Sequence, residues 1–355
     1  MEMRTRPYRL RLKHPWTIAM DLEDGQGEGD CDSDVLFVDL TDRDGVSGIG
    51  EVSPSSRYGE SVEGAAAFLA RIDPDKLSFS DIESSTAYLD SLSDADFAAR
   101  TAVNIALLDG YARREEKPLH DMLGLRFTEG KHTTSFSIGI DSPDTVEQKT
   151  REAEEYPILK LKLGSVHDRD NLAALRRVAP DKQVRVDGNE AWNSKEQALA
   201  MIEWLAEDGN IQFVEQPMHA DAPDADLAWL KERSPLPLMG DESYHSAADL
   251  ERCSRRYHAV NVKLVKAGGV IGAKEALEAA RSAGLKTMLG CMVESSVLIS
   301  AAAHLAELTD CLDIDGNLLI SNDPYEGVTS ERGRLSFASA KERIGLQVTA
   351  RDRAS

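Results

Sequence analysis

The chain is 355 residues long, 41% hydrophobic and 29% charged, which is more than one minimal domain and enough to bury a large core. Its formal net charge of −21 disfavours nucleic acid and anionic membranes as partners. The four cysteines, Cys31, Cys253, Cys291 and Cys311, form no C-x-x-C pair, which argues against both a zinc site and a disulfide framework. The opening residues lack the apolar core of a signal peptide and no run reaches membrane-spanning length, so the cytoplasm is the expected compartment.

Residues 1–130 read as an α+β domain. Alternation in Tyr8–Lys13 and the apolar runs Asp34–Leu40 and Gly45–Val52 predict an antiparallel sheet, and Phe97–Arg114 predicts a helix. The basic series Arg4, Arg6, Arg9, Arg11 and Lys13 reads as the solvated face of an edge strand.

From residue 131 to 324 short apolar runs alternate with helical patterns. The runs are Thr133–Ile140, Ile158–Leu163, Gln183–Val186, Ile211–Val214, Leu236–Gly240, Ala259–Leu264, Lys286–Leu289 and Cys311–Ile314. Ser194–Ala206 and Gly272–Ala283 exemplify the helical segments between them. A repeat of roughly 25 residues fits one βα unit, and eight units predict a closed parallel barrel. Residues 325–355 are too few for a domain and are expected to pack back on the first.

Three of the runs end in acids, Asp187, Glu215 and Asp241. The C-terminal ends of barrel strands converge on one face, where three carboxylates repel unless a hard cation joins them. Oxygen-only ligands with room for water suit Mg²⁺ better than Zn²⁺. In Ile158-Leu-Lys160-Leu-Lys162-Leu163 alternation puts both lysines inside the barrel, where an unpaired ammonium is costly. Lys263 ends the sixth run across the barrel, and Lys266, past that strand end, is expected to be exposed. A substrate carboxylate on the metal has an acidified α-proton. Lys162 or Lys263 removes it from one face and the other returns a proton to the opposite face, inverting the carbon. Lys160 adds positive charge beside the enediolate and is expected to lower the pKa of Lys162. Asp313 and Asp315 end the eighth run on one side, and a substrate ammonium would satisfy them; pairing with a protein lysine is the plainer alternative. Glu294, at the end of the seventh run, positions a base or caps the next helix.

The order Lys-x-Lys, Asp-x-Asn, Glu-Gln-Pro, Asp-Glu-Ser and Asn-Val-Lys…Lys-x-Gly-Gly resembles the muconate-lactonizing subgroup of the enolase superfamily. The likeness covers nearly the whole chain and includes Gly48-Ile-Gly-Glu51 and Lys117-Pro-Leu-His-Asp-Met-Leu-Gly124. Asp313-x-Asp315 resembles the dipeptide epimerases in particular, where such a pair holds the free α-amino group. The resemblance implies a modified TIM barrel, (β/α)7β, with an N-terminal capping domain completed by the C-terminal segment. It implies Mg²⁺ on Asp187, Glu215 and Asp241, Lys162 and Lys263 as bases, and Asn189 and Glu242 as supporting residues in the metal-ligand motifs. It also implies that Ser137 touches the substrate and that loops near 17–32 and 53–60 close over the barrel mouth.

The first loop is acidic, with Asp21, Glu23 and Asp24, and suits a dipeptide bearing Lys or Arg; a solvated acidic loop is the alternative. Arg57 in the second loop could instead receive a substrate carboxylate, so cationic or hydrophobic dipeptides are the expected substrates. Muconate cycloisomerase, o-succinylbenzoate synthase and N-acylamino acid racemase are the competing activities on this scaffold, and none of their substrates brings an ammonium for Asp313 and Asp315. Sugar-acid dehydration lacks its histidine base, and a non-catalytic binder leaves the acids and bases unexplained. The subunit number is open, and a homo-oligomer is compatible with the sequence.

Overall fold

Three antiparallel strands begin the chain in the computed structural model, which describes residues 1–22, 27, 29–93 and 95–351. They are β1 (Glu2–Trp16), β2 (Asp30–Thr41) and β3 (Ser47–Val52), ordered β1-β2-β3. The helix Phe97–Arg114 lies across them on its predicted bounds, and its Ala98, Ala102 and Ala106 face the buried Val38, Leu40 and Val52. It packs so closely that a Cβ at Gly48 or Gly50 would overlap the carbonyl oxygens of Ala106 and Ala102. Those two glycines of Gly48-Ile-Gly-Glu51 therefore serve helix–sheet approach. β1 is longer than Tyr8–Lys13 because β2 pairs with it from Glu2 to Arg11 and again at Trp16. Its basic residues are exposed as expected, and Arg9 and Arg6 reach the β2 carboxylates Asp34 and Asp39 at 2.7 and 2.9 Å. Such solvated pairs contribute little stability.

Eight parallel strands follow, one for each predicted run: β4 (Phe136–Ile138), β5 (Ile158–Lys162), β6 (Gln183–Asp187), β7 (Ile211–Glu215), β8 (Leu238–Gly240), β9 (Ala259–Lys263), β10 (Lys286–Gly290) and β11 (Cys311–Asp313). Each pairs with the next in sequence. The ring closes where Thr134 bridges Leu312, the Ser135 amide donates to Leu312 O at 3.1 Å and the Ile314 amide to Thr134 Oγ1 at 2.8 Å. A helix occupies each of the seven connections, and Ser142, Ser194 and Ser295 cap three of them through backbone amides. Among the described residues the only helical element after β11 is a short 3₁₀ turn, Gly316–Leu318. The architecture is thus (β/α)7β.

Leu159 and Leu161 are fully buried on the outside of β5, while Phe213, Met239, Ala259 and Met288 plug the lower barrel. Above that apolar plug the interior is charged. After the barrel the chain returns to the first sheet. The Lys13 amide donates to Leu319 O and the Ser321 amide to Arg11 O, both at 2.8 Å, and Asp109 of the long helix accepts from the amides of Ile49 and Leu346. The N-terminal sheet is thereby completed by the C-terminal segment. No helix among the described residues is long and apolar enough to cross a membrane.

Candidate active site

Alternation along β5, β6 and β7 sends Lys160, Lys162, Asp187 and Glu215 inward at their C-terminal ends, and Asp241 follows directly on β8. One carboxylate oxygen from each of Asp187, Glu215 and Asp241 lies within 4.8 Å of the others, and all three residues are fully buried. Lys160 stands between them: its Nζ is 2.9 Å from Asp187, 2.8 Å from Glu215 and 2.7 Å from Asp313. Burial opposes the charged form of Lys160, but Asp187, Asp313, Glu215 and Asp241 outweigh it and hold its pKa well above the ordinary lysine value. Burial and the charge of Asp187 push the Glu215 carboxyl up to about 7. Asp241 resists burial through Lys263, Lys266 and Lys160 and stays well below the ordinary range.

Lys162 donates to Asp187 Oδ2 at 2.7 Å, and Lys263, on β9 across the barrel, lies 2.9 Å from Asp241 Oδ2. Each candidate base therefore pairs with a different acid of the triad. Burial works against the Lys263 ammonium, but Asp241, Tyr58 and Glu242 raise its pKa well above normal. Lys266 departs from the expectation of exposure. A single helical turn, Leu264–Ala267, follows β9 directly and folds Lys266 beneath the site, where it is 2% exposed and donates to Asp241 Oδ1 and O and to Asn261 O. Asn261, of the same strand parity as Lys263, donates to Glu215 Oε1 at 2.7 Å. Asn189 accepts nothing from the triad; its amide donates to Asp187 Oδ1 at 2.9 Å and its side chain to Glu242 Oε1 at 3.3 Å. Burial and Asp241 push the Glu242 carboxyl up to about 8.

Six buried carboxylates (Asp187, Glu215, Asp241, Glu242, Asp313, Asp315) thus face four buried ammonium groups (Lys160, Lys162, Lys263, Lys266). Glu215 Oε2 and Asp241 Oδ2 accept no hydrogen bond of good geometry, although ammonium groups lie 2.8 and 2.9 Å away. An all-oxygen donor set short of positive charge fits a hard divalent cation.

On β11, Asp313 meets the protein-lysine alternative. It pairs with Lys160 and also accepts from Ser135 Oγ at 2.6 Å, and against the effect of burial Lys160 and Ser135 hold its carboxyl down at about 2. Asp315 accepts from the Ser137 amide at 2.6 Å, and among the described residues no cationic side chain pairs with it. Burial and Asp313 push its carboxyl up to about 7. Ser137 itself stands on β4, its Oγ 3.5 Å from Asp313. Glu294 accepts from the Met292 amide at 3.0 Å and feels the charge of Lys263, while the cap of the helix Ser296–Ala303 is Ser295. Burial and Glu51 raise the Glu294 carboxyl to about 8.

A cavity of about 230 Å³ opens over these groups, lined below by Lys160, Lys162, Lys263, Asp313 and Asp315. Its roof includes Ile18, Met20, Asp21 and Asp30 from one loop of the N-terminal sheet and Ser53 to Tyr58 from the other. Asp21 turns part of its charge inward, accepting from the Ile18 amide at 2.9 Å. Glu23 and Asp24 lie outside the described residues. Arg57 lines the cavity and already holds a carboxylate of the protein. Its Nε and Nη2 donate to Glu190 at 2.7 and 2.9 Å. Glu190 carried no signal in the sequence, because its placement depends on two successive left-handed residues, Asn189 (φ 40°) and Glu190 (φ 67°). Asn261 and Ser135 could have been found by the parity that identified Lys263 and Ser137.

Residues 144–346 match the family described as enolase C-terminal domain-like, and residues 9–124 match the mandelate racemase / muconate lactonizing enzyme N-terminal domain. The L-Ala-D/L-amino acid epimerase of Pedosphaera parvula is 58% identical over 99% of this chain and 100% of its own length. The L-Ala-D/L-Glu epimerase of Bacteroides thetaiotaomicron is 38% identical over 95% of this chain and 85% of its own. Among solved structures, the dipeptide epimerase of Enterococcus faecalis complexed with Mg and L-Leu-L-Tyr superposes with a TM-score of 0.86 at 28% identity, covering 98% of both chains. The substrate-liganded L-Ala-D/L-Glu epimerase of Bacillus subtilis gives 0.89 at 25% identity, over 99% of this chain and 98% of that one.

Proposed function

The chain belongs to the mandelate racemase / muconate lactonizing enzyme family, with its enolase-like C-terminal domain, and from that premise we propose that it is a Mg²⁺-dependent dipeptide epimerase. Relatives named as epimerases of Ala-containing dipeptides, and neighbours solved with Mg and dipeptide, support this reading. The observation that carries it is the pair of lysines paired with different acids of the triad, together with Asp315, a cavity-facing carboxylate to which no described cation is joined.

Asp187, Glu215 and Asp241 would hold the cation, which would stabilise the negative charge that grows on the substrate carboxylate as the α-proton leaves. The substrate ammonium would sit against Asp315, restoring that buried carboxyl to its ionised form. The α-carbon of the C-terminal residue then lies between Lys162 and Lys263. One, as the free amine, takes the α-proton; the other, as the ammonium, delivers a proton to the opposite face. Each cycle exchanges the protonation states of the two lysines, so the reverse reaction is served by the same pair. Lys160 keeps an ammonium beside the developing enediolate.

The lid contributes acids, Asp21 and Asp30, and among the described residues the one roof cation, Arg57, is engaged by Glu190. Neutral or cationic side chains on the C-terminal residue are therefore the preferred substrates. N-acylamino acid racemisation is the competing reading, since Lys160 already satisfies Asp313; it leaves Asp315 buried without a cationic partner among the described residues. Incubation with Mg²⁺ in D₂O should exchange one α-proton of particular L,L-dipeptides, seen as a one-unit mass gain. Asp315→Asn should raise KM for free dipeptides about tenfold. Exchange confined to N-succinyl amino acids would refute the proposal.

A further inference from the structure

Arg57 occupies the wall of the cavity, while its counter-ion stands behind that wall. Glu190 does not line the cavity, its side chain is 4% exposed against 27% for Arg57, and its two oxygens grip Nε and Nη2 of the guanidinium. The carboxylate is anchored on the barrel rim. Its Oε1 also accepts from the Ala220 amide at 2.6 Å, and His219 Nε2 lies 4.0 Å away. The turn that carries it is fastened by the Glu190 amide to Gln216 O and the Asn189 amide to Asp187 Oδ1, both at 2.9 Å. The other cations that line the cavity, among the described residues, are Lys160, Lys162 and Lys263, each already within 2.9 Å of a carboxylate.

We propose that Glu190 is a specificity-determining residue: by masking Arg57 from behind, it makes the site discriminate against dipeptides whose C-terminal side chain is a carboxylate. The inference rests on the dipeptide-epimerase reading. A bidentate arginine–carboxylate pair is charge-assisted and geometrically matched, so an incoming side-chain carboxylate must either break it or place a second negative charge beside Glu190. A neutral side chain meets no such opposition.

Glu190→Gln keeps the shape and an acceptor for the Ala220 amide but removes the charge, releasing the field of Arg57 into the cavity. The kcat/KM ratio of L-Ala-L-Glu to L-Ala-L-Leu, read from α-proton exchange, should rise about tenfold or more, chiefly through KM for L-Ala-L-Glu. In Glu190→Gln/Arg57→Gln the ratio should return to the native value. Arg57→Gln alone uncovers the Glu190 charge and should lower the ratio below the native value. An unchanged ratio in a Glu190→Gln protein that melts like the native one would overturn the proposal. So would a native enzyme that prefers L-Ala-L-Glu to L-Ala-L-Leu, a comparison that decides by itself should Glu190→Gln not fold. A native enzyme that exchanges no dipeptide at all would overturn both this proposal and the reading beneath it.

Discussion

Glu51 joins the two halves of the molecule, and replacing it with glutamine should change how stability responds to pH. The side chain leaves β3, is fully buried, and accepts from the Ser295 amide at 2.9 Å, Ser295 Oγ at 2.6 Å and the Leu298 amide at 3.2 Å, at the start of the helix Ser296–Ala303. Burial raises its carboxyl from 4.5 to about 7 despite these donors, with Asp323 adding to the rise. The folded protein thus binds a proton more readily at Glu51 than the unfolded chain does. Stability from this group is greatest below pH 4.5, falls as pH climbs towards 7 and levels off above it. The interval is worth about 3 kcal/mol. Urea unfolding of the native and Glu51→Gln proteins at constant ionic strength, from pH 4.5 to 8 and with EDTA present, isolates the effect because other titrating groups largely cancel. The difference should move in favour of the variant by about 3 kcal/mol across that range. Glu294, whose carboxyl is raised partly by Glu51, relaxes downward in the variant and acts in the same direction. Parallel curves would refute the reasoning, and a native protein that gains on the variant with rising pH would show that the three donors outweigh burial.

Lys162→Ala and Lys263→Ala should each slow epimerisation by about 10²–10⁴-fold, yet each should retain α-proton exchange from one epimer, and not the same one. Exchange of both epimers by either variant, followed by mass spectrometry in D₂O, would rule out one base per face. Gly290→Ala tests the support of the metal site at a distance. A Cβ there would stand 2.6 Å from the Asn261 amide group, whose Nδ2 donates to Glu215 at 2.7 Å. Displacing it should weaken Mg²⁺ binding about 10–100-fold, measured by titration calorimetry, and an unchanged affinity would show that Asn261 does not orient Glu215.

The barrel was readable because its strands are short apolar runs with one polar position in two, so parity alone separates Lys160 and Lys162 from Leu159 and Leu161. The acids were readable because they end those runs. Parity fails once the strand ends. Lys266 lies three residues past β9, but a single helical turn brings it back under Asp241, which no strand pattern anticipates. The ion pair of Arg57 was illegible for another reason. Its partner Glu190 reaches it only through a left-handed turn built on Asn189 and Glu190, residues without glycine's usual mark for such backbone. Asp313 was open between substrate and lysine in the sequence, and in the structure Lys160 takes it because three carboxylates crowd one ammonium.

The return of the chain end to β1 has a consequence for synthesis. In the N-terminal sheet β1 has β2 on one side, and on the other Lys13 and Arg11 bond to Leu319 and Ser321, residues made some three hundred positions later. β1 is therefore made long before the segment that covers it, and throughout that interval it offers neighbouring nascent chains an open ladder of amides and carbonyls. Arg4, Arg6, Arg9, Arg11 and Lys13 put like charges along that ladder and repel an identical strand. Their contribution falls in the interval of vulnerability before the tail arrives, where it guards against aggregation.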